Sequence, residues 1–231
     1  YVLQNCATLT SAVIPEGVTS IGKNAFAGCS SLETVTLPST LTAVGENAFG
    51  VDLLNICPVK SVHISDLDAW LGITFANVYA NPMNSYDALL LLNGQPVTTV
   101  VFPSGMTEIG DYVLMNCASV ESVTIPDGVI SIGAGAFENC GGIFTLTLPE
   151  GLNSIGESAF AGCINLALLQ LPDSLYEIGA EAFFGCRSLV SVTLGSSLTS
   201  IGESAFDYCT VLKVQIDIVP EIEGPAEVGA L

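Results

Sequence analysis

A period of 23 residues constrains this chain more than any other feature. Cys117, Cys140, Cys163, Cys186 and Cys209 stand 23 residues apart, and Phe137, Phe160, Phe183 and Phe206 keep the same step, with Leu114 filling the column before them. The Ile-Gly pairs that begin at Ile109, Ile132, Ile155, Ile178 and Ile201 keep it too, as do Cys6 and Cys29, Phe26 and Phe49, and Pro15 and Pro38. A fixed period of this length marks one supersecondary unit repeated along the chain. Taking the apolar-x-apolar triplet before the proline as one rung, rungs fall at residues 12–14, 35–37, 62–64, 100–102, 123–125, 146–148, 169–171, 192–194 and 214–216. The steps are 23, 27, 38, four of 23 and one of 22, so two are overlong, by 4 and 15 residues. "YVLQNC" at Tyr1 and "YVLMNC" at Tyr112 are 111 residues apart, which is four repeats plus those 19 extra residues. The chain opens inside a repeat and without an initiator Met, so the expectation is a piece of a longer protein.

One repeat has a readable anatomy. Alternation in Thr34-Val35-Thr36-Leu37 suits a short strand with one buried face. The proline that follows has no N–H and stops it. A second extended piece, residues 41–44 in the second repeat, leads to a glycine that permits a sharp turn. "ENAFGV" and "ESAFAGC" fit one helical turn with Ala and Phe facing inward. A single coil cannot bury its apolar side alone, but stacked coils form a continuous core. The predicted fold class is therefore α/β: a solenoid with a parallel strand ladder, short second strands and single helical turns. Outward strand positions form two ladders, one of Ser11, Thr34, Ser61, Thr99, Ser122, Thr145, Leu168 and Ser191. The other holds Val13, Thr36, His63, Val101, Thr124, Thr147, Gln170 and Thr193. That face should be rich in hydroxyls and mostly uncharged, interrupted at Leu168 and Gln170.

The pattern C-x-x-L-x-x-V-x-L-P-x-x-L-x-x-I-G-x-x-A-F resembles the BspA-like leucine-rich repeats of bacterial surface proteins, over almost all of residues 1–216. The passage "VHISDLDAWLGITFANVYANPMNSYDALLLLNGQPVTTVVFP" also resembles an insertion found in that family. The resemblance implies a leucine-rich-repeat solenoid in a secreted or surface-anchored bacterial protein that adheres to other macromolecules. It implies neither a shared ligand nor a catalytic set.

Composition narrows the function further. Four Lys+Arg against 23 Asp+Glu give a net charge of −19. That repels phosphate backbones and anionic lipid, which argues against nucleic acid and membrane-surface partners. It would attract a basic partner, although solubility of an apolar, edge-rich solenoid explains it as well. No apolar run approaches the roughly 20 residues of a membrane span. Eight cysteines raise the question of disulfides, but seven occupy one inward column, Cys57 sits one place out of register, and in-register neighbours have poor Cβ geometry for bridging. Buried free thiols are expected. No C-x-x-C pair exists to suggest zinc, and no cofactor is implied.

Catalytic signals are weak. His63 is the sole histidine and shares an outward column with threonines, so a solvent-facing role is favoured over a catalytic one. Glu16, Glu46, Asp111, Asp127, Glu150, Asp173 and Glu203 are scattered one per coil. They read as solvated turn residues, with a glycosidase pair as the competing idea. Asp66 and Asp68 do not extend to a calcium loop and mark a helix start, with Ser65 as N-cap.

The insertion, about residues 65–96, should hold a helix, an irregular stretch and a hairpin turning at Asn93-Gly94. It concentrates Trp70, Phe75, Tyr79 and Tyr86. These rings either glue the insertion to the coils or form a binding patch. Residues 217–231 lose the period and read as a linker or a packed tail that covers the last strand. The sequence thus points to a non-catalytic, adhesion-type module at the cell surface or outside the cell. Its expected ligand is a protein or glycan, host extracellular matrix among the candidates. Trp70, Tyr79, Tyr86, His63 and Gln170 are the expected contact residues. Spacer repeats in a larger surface protein, or a carbohydrate-active domain, are the alternatives.

Overall fold

The computed structural model describes residues 3–86 and 88–216, so the 217–231 tail lies outside the described residues. The chain divides into two compact units: one runs to Val97 and includes Gly110–Cys117, and the other holds Thr98–Ile109 and the residues from Ala118 onward.

In unit one the long faces of successive coils are β1 (Ser11–Val13), β3 (Thr34–Thr36), β5 (Ser61–Ile64) and β7 (Leu89–Leu92), and the second strands are β2 (Ser20–Ile21), β4 (Ala43–Val44) and β6 (Thr74–Phe75). A helix, α1 (Leu67–Leu71), stands between β5 and β6, and β8 (Gln95–Pro96) follows β7. The first sheet runs β1-β3-β5-β7 in parallel and ends on antiparallel β8; β2-β4-β6 form the second ladder. In unit two the long strands are β9 (Thr99–Val101), β11 (Ser122–Thr124), β13 (Thr145–Thr147), β15 (Leu168–Gln170), β17 (Ser191–Leu194) and β19 (Lys213–Ile216). The second strands β10 (Glu108–Ile109), β12 (Ser131–Ile132), β14 (Ser154–Ile155), β16 (Glu177–Ile178) and β18 (Ser200–Ile201) form one continuous parallel ladder. Register follows the repeat, as in Ser11↔Thr34 and Leu168↔Ser191. Val35 and Leu146 point inward and are buried, whereas Thr124 and Thr147 point out. The parallel solenoid ladder read from the repeat is the fold.

The 38-residue step hides a rung. Leu89–Leu92 reads in sequence as the first arm of a hairpin. It is that, but Ser61 also pairs with Leu89 and Val62 with Leu90 in parallel, so β7 continues the ladder. Four consecutive leucines show no alternation, which conceals a strand buried on one face only.

Each coil has a third side, where the expected single helical turn is a run of hydrogen-bonded turns. The residue before Ala-Phe takes a left-handed conformation in coil after coil, at Asn24 (φ 57°), Asn47 (φ 57°), Ser158 (φ 53°), Glu181 (φ 55°) and Ser204 (φ 55°). That conformation breaks a helix and points N–H groups at the next coil. Phe26 N donates to Ala48 O at 2.8 Å, Phe137 N to Ala159 O at 2.8 Å and Phe160 N to Ala182 O at 2.8 Å. In the later coils of unit two the glycine of the Ile-Gly pair, at Gly156, Gly179 and Gly202, serves close approach rather than a turn. A Cβ on Gly179 would lie 2.5 Å from Glu157 N, and one on Gly202 would lie 2.2 Å from Ala180 N.

Inside the coils the phenylalanines stack. Ring centroids are 5.1 Å apart for Phe137–Phe160, 5.3 Å for Phe160–Phe183 and 5.2 Å for Phe183–Phe206, with interplanar angles of 3°, 5° and 6°. Phe26 and Phe49 repeat this in unit one at 5.0 Å. Beside them the cysteines do more than fill space. Cys163 Sγ donates to Phe137 O at 3.2 Å, Cys186 Sγ to Phe160 O at 3.3 Å and Cys29 Sγ to Leu3 O at 3.1 Å, each reaching the preceding coil. Cys57 keeps the same role despite its offset, donating to Phe26 O at 3.1 Å. Burial pushes the Cys57, Cys117 and Cys163 thiols up to about 12.

Glu138 in unit two is half-buried, and burial raises its carboxyl pKa, helped by the Glu181 charge and opposed by a hydrogen bond from Asn139. A carboxyl raised in the fold stabilises below its unfolded value and loses that contribution as pH rises through the folded value. Glu138→Gln is therefore expected to raise the denaturation midpoint at pH 7 and to leave it unchanged at pH 3, as followed by urea titration. Phe160→Ala should cost about 3–5 kcal/mol by cavity formation. Phe160→Leu should cost under about 1.5 kcal/mol, because Leu114 already occupies that column. Cys6 and Cys209 are the two half-buried cysteines and the other six are buried. A thiol reagent should accordingly modify roughly two of the eight in native protein and all eight in denaturant, and mass analysis revealing four disulfides would refute this.

Candidate binding site

The insertion is anchored by its polar backbone contacts. Asp66, with φ −141° and ψ 117°, caps α1, and its Oδ1 accepts from Ala69 N at 3.1 Å. The cap is thus one residue beyond the expected Ser65; Asp is as good an N-cap as Ser and adds a charge favoured at a helix start. Trp70 then falls on the inner side of the helix. Its ring is 1% exposed, its Nε1 donates to Val113 O at 2.9 Å, and it meets Phe75 at 5.5 Å. A buried indole with its N–H satisfied is packing. Trp70 is therefore not on the surface expected of a contact residue. Asn81 and Asn116 complete the anchorage. Asn81 Nδ2 donates to Tyr112 O at 2.7 Å and Asn116 Nδ2 to Met83 O at 2.7 Å.

The other expected residues separate. Tyr79 is half-buried, and its carbonyl accepts from Phe49 N at 2.9 Å, which ties the insertion into the third side of the ladder. Tyr86 stands 71% exposed. Gln170 points outward from β15 in unit two.

His63 lies on β5 and lines a groove of about 350 Å³ with Val13, Thr36, Ile64, Ser65 and the hairpin tip Asn93-Gly94. The tip is fixed by two left-handed residues, Asn93 (φ 51°) and Gly94 (φ 82°), the geometry of a tight hairpin turn. Glu16 also borders the groove, and its carboxylate is engaged by Ser39, whose N donates to Glu16 Oε1 at 3.1 Å and whose Oγ donates to Glu16 Oε2 at 3.2 Å. The groove thus offers apolar walls, one imidazole and two hydroxyls, which suit a side chain or a sugar ring held by van der Waals contact and a few hydrogen bonds. Among the described residues no group of three or more His, Cys, Asp or Glu side chains is placed to hold a metal ion.

Sequence reading passed over one feature. The 4-residue surplus of the 27-residue step forms a loop closed by the Gly50–Ile56 bridge. Asp52 Oδ1 accepts from Leu54 N at 2.9 Å, Asn55 N at 3.0 Å and Asn55 Nδ2 at 2.9 Å. The Asn55 side chain and then the Leu54 N–H hold the Asp52 carboxyl below its usual range. This pinned turn leaves Leu53 76% and Leu54 93% exposed. The signal was present as a length surplus that starts with Asp and ends with Asn.

Among the described residues no helix is long and apolar enough to cross a membrane. Comparison with curated proteins returns no match. Among solved structures, a leucine rich cell surface protein from Faecalibacterium prausnitzii is similar, with 30% identity and a TM-score of 0.68 over 93% of this chain and 61% of that one. The chain therefore spans about three fifths of that relative's length. A leucine-rich repeat protein from Eubacterium ventriosum (18% identity, TM-score 0.53, 90% of this chain and 72% of that one) and the pneumococcal vaccine antigen PcpA (16%, 0.52, 96% and 72%) share the fold. The family model for the BspA type leucine rich repeat region matches six times, over residues 1–69 and 91–213. With the repeat, the ladder register and that match in agreement, the chain belongs to the BspA-type leucine-rich repeat family.

Proposed function

We propose that this chain is a non-catalytic, adhesion-type binding module of a bacterial surface protein, acting outside the cell on a protein or glycan. The observation that carries the reading is where apolar side chains stand free in unit one. Apart from Val13 on β1, they gather where the repeat is broken: Leu53 and Leu54 on the pinned loop, and Tyr86, 71% exposed, in the insertion. Exposed large apolar groups on loops held by a rigid scaffold are a hallmark of recognition surfaces. The His63 groove adds a shaped, mostly apolar recess on the same unit. The surface location rests on the similarity to the Faecalibacterium cell surface protein.

A panel of immobilised host matrix proteins and mucin glycans, probed by surface plasmon resonance, tests this. Binding to at least one member should weaken tenfold or more in the Leu53→Ser/Leu54→Ser variant, and severalfold in Tyr86→Ser or His63→Ala. Circular dichroism should remain unchanged, because all four side chains lie at least partly outside the core. Absence of binding to every member would favour spacer repeats. Equal binding by all variants would move the site off unit one.

A further inference from the structure

Unit two carries a surface of a different kind, independent of the unit-one loops. In the column just before the long strand, this chain places charge at Glu33, Lys60 and Glu121. In three consecutive coils the same column reads Phe144, Ala167 and Val190, joined by backbone bonds from Ala167 N to Phe144 O at 3.1 Å and from Val190 N to Ala167 O at 3.1 Å. Phe144 is 60% exposed and Val190 47%. One place along, where Ser122, Thr145 and Ser191 stand, Leu168 is 56% exposed and paired between Thr145 and Ser191. An apolar row thus runs across three coils at the start of their strands, about 10 Å from first to last at the usual strand spacing.

A second row, offset by one coil, lies beyond the far ends of β11, β13 and β15, so the two rows share the coils of β13 and β15. Asp127, Glu150 and Asp173, one per coil, are exposed. Among the described residues no Lys or Arg pairs with them, and both ion pairs found there lie in unit one. Between the rows the floor is Thr147 and Gln170, with Thr193 of β17 and Thr124 of β11 at its two ends. Phe144 and Glu150 are six residues apart, so the rows are separated by at most about 20 Å. A helix with side chains is about 10–12 Å across, and a Lys or Arg arm adds several ångströms. A second copy of this chain is a poor occupant, because two bodies of charge −19 repel.

We propose that the sheet face of unit two docks a cationic amphipathic helix of another protein. The helix lies along the stacking direction over the Thr and Gln floor. Its apolar side rests on Phe144, Leu168 and Val190, and its Lys and Arg side reaches Asp127, Glu150 and Asp173. Two to three helical turns, at about 5.4 Å each, match the extent of the rows.

The test titrates the intact chain with three synthetic peptides of about 18 residues: a Leu/Lys amphipathic helix, a Leu/Glu helix of the same pattern, and a Lys/Ser peptide of the same charge. The Leu/Lys helix should bind with a salt-dependent affinity, and the other two should bind at least tenfold more weakly. The variant Phe144→Glu/Leu168→Ser/Val190→Glu installs residue types this scaffold already carries in those columns, so it should fold and lose binding tenfold or more. Asp127→Asn/Glu150→Gln/Asp173→Asn should lose a similar factor and most of the salt dependence, and it reads the proposal should the first variant misfold. Equal affinity for the Lys/Ser peptide, unchanged affinity in the variants, or concentration-dependent self-association of the wild-type chain would each overturn it. Leu53→Ser/Leu54→Ser should bind the Leu/Lys helix like wild type, which separates this surface from the unit-one reading.

Discussion

Among the described residues, coils hand most of their backbone hydrogen bonds to their neighbours on three sides, and the other regularities follow from that. Buried N–H and C=O groups left unpaired would cost more than this marginal kind of fold can offset. The strands meet the demand on two sides, and on the third the left-handed residue before Ala-Phe turns N–H groups toward the next coil. Coils this close leave no room for a Cβ at Gly179 or Gly202. They also leave carbonyls such as Phe137 O and Phe160 O facing a small side chain, and a thiol can donate to them where Ala or Val cannot. The 23-residue period is the sequence image of a steric and hydrogen-bonding constraint that each coil satisfies anew.

What could be read from the sequence follows from the same constraint. Inward columns repeat because their environment repeats, so the ladder, its register and the burial of the cysteines were legible. Features settled by contacts far away in sequence were not. The indole of Trp70 is satisfied by a carbonyl 43 residues on, which nothing local in "SDLDAW" announces. β7 was hidden because LLLL shows no alternation, and its place became visible only through pairing with β5. The Ile-Gly glycine is a case of the right residue with a different reason: no positive φ appears at Gly179 or Gly202, and the crowding comes from the adjacent coil. The loop at Leu53–Leu54 announced its length but not its exposure, since an Asx turn fixes the backbone without fixing where the flanking leucines point.

Electrostatics separate the two units. Lys23 pairs with Glu46 and Lys60 with Glu33, linking adjacent coils of unit one, with every partner more than half exposed. Such pairs contribute about 0–1 kcal/mol, so they trim local repulsion more than they hold the coils. Arg187 and Lys213 are the remaining cations against a total of 23 carboxylates. Among the described residues most of the carboxylates sit in turns, where they set up a field that reaches about 8 Å at physiological salt. Recognition of a basic partner would draw on that field for its on-rate and on apolar contact for its lifetime.

In a stack of this kind each coil interacts only with its neighbours, so stability is close to a sum of local terms. An outward side chain can therefore change without disturbing the period, and two surfaces several coils apart can change without disturbing each other. The structure carries the marks of that freedom. Leu53 and Leu54 interrupt the repeat by adding length, whereas Phe144, Leu168 and Val190 keep the register and change only the chemistry of outward columns. The first route creates shape that the repeat cannot make, at the expense of a loop that must be pinned by its own Asp. The second leaves every backbone bond in place and is open to any coil, so it gives a solenoid the simplest path to a second binding surface.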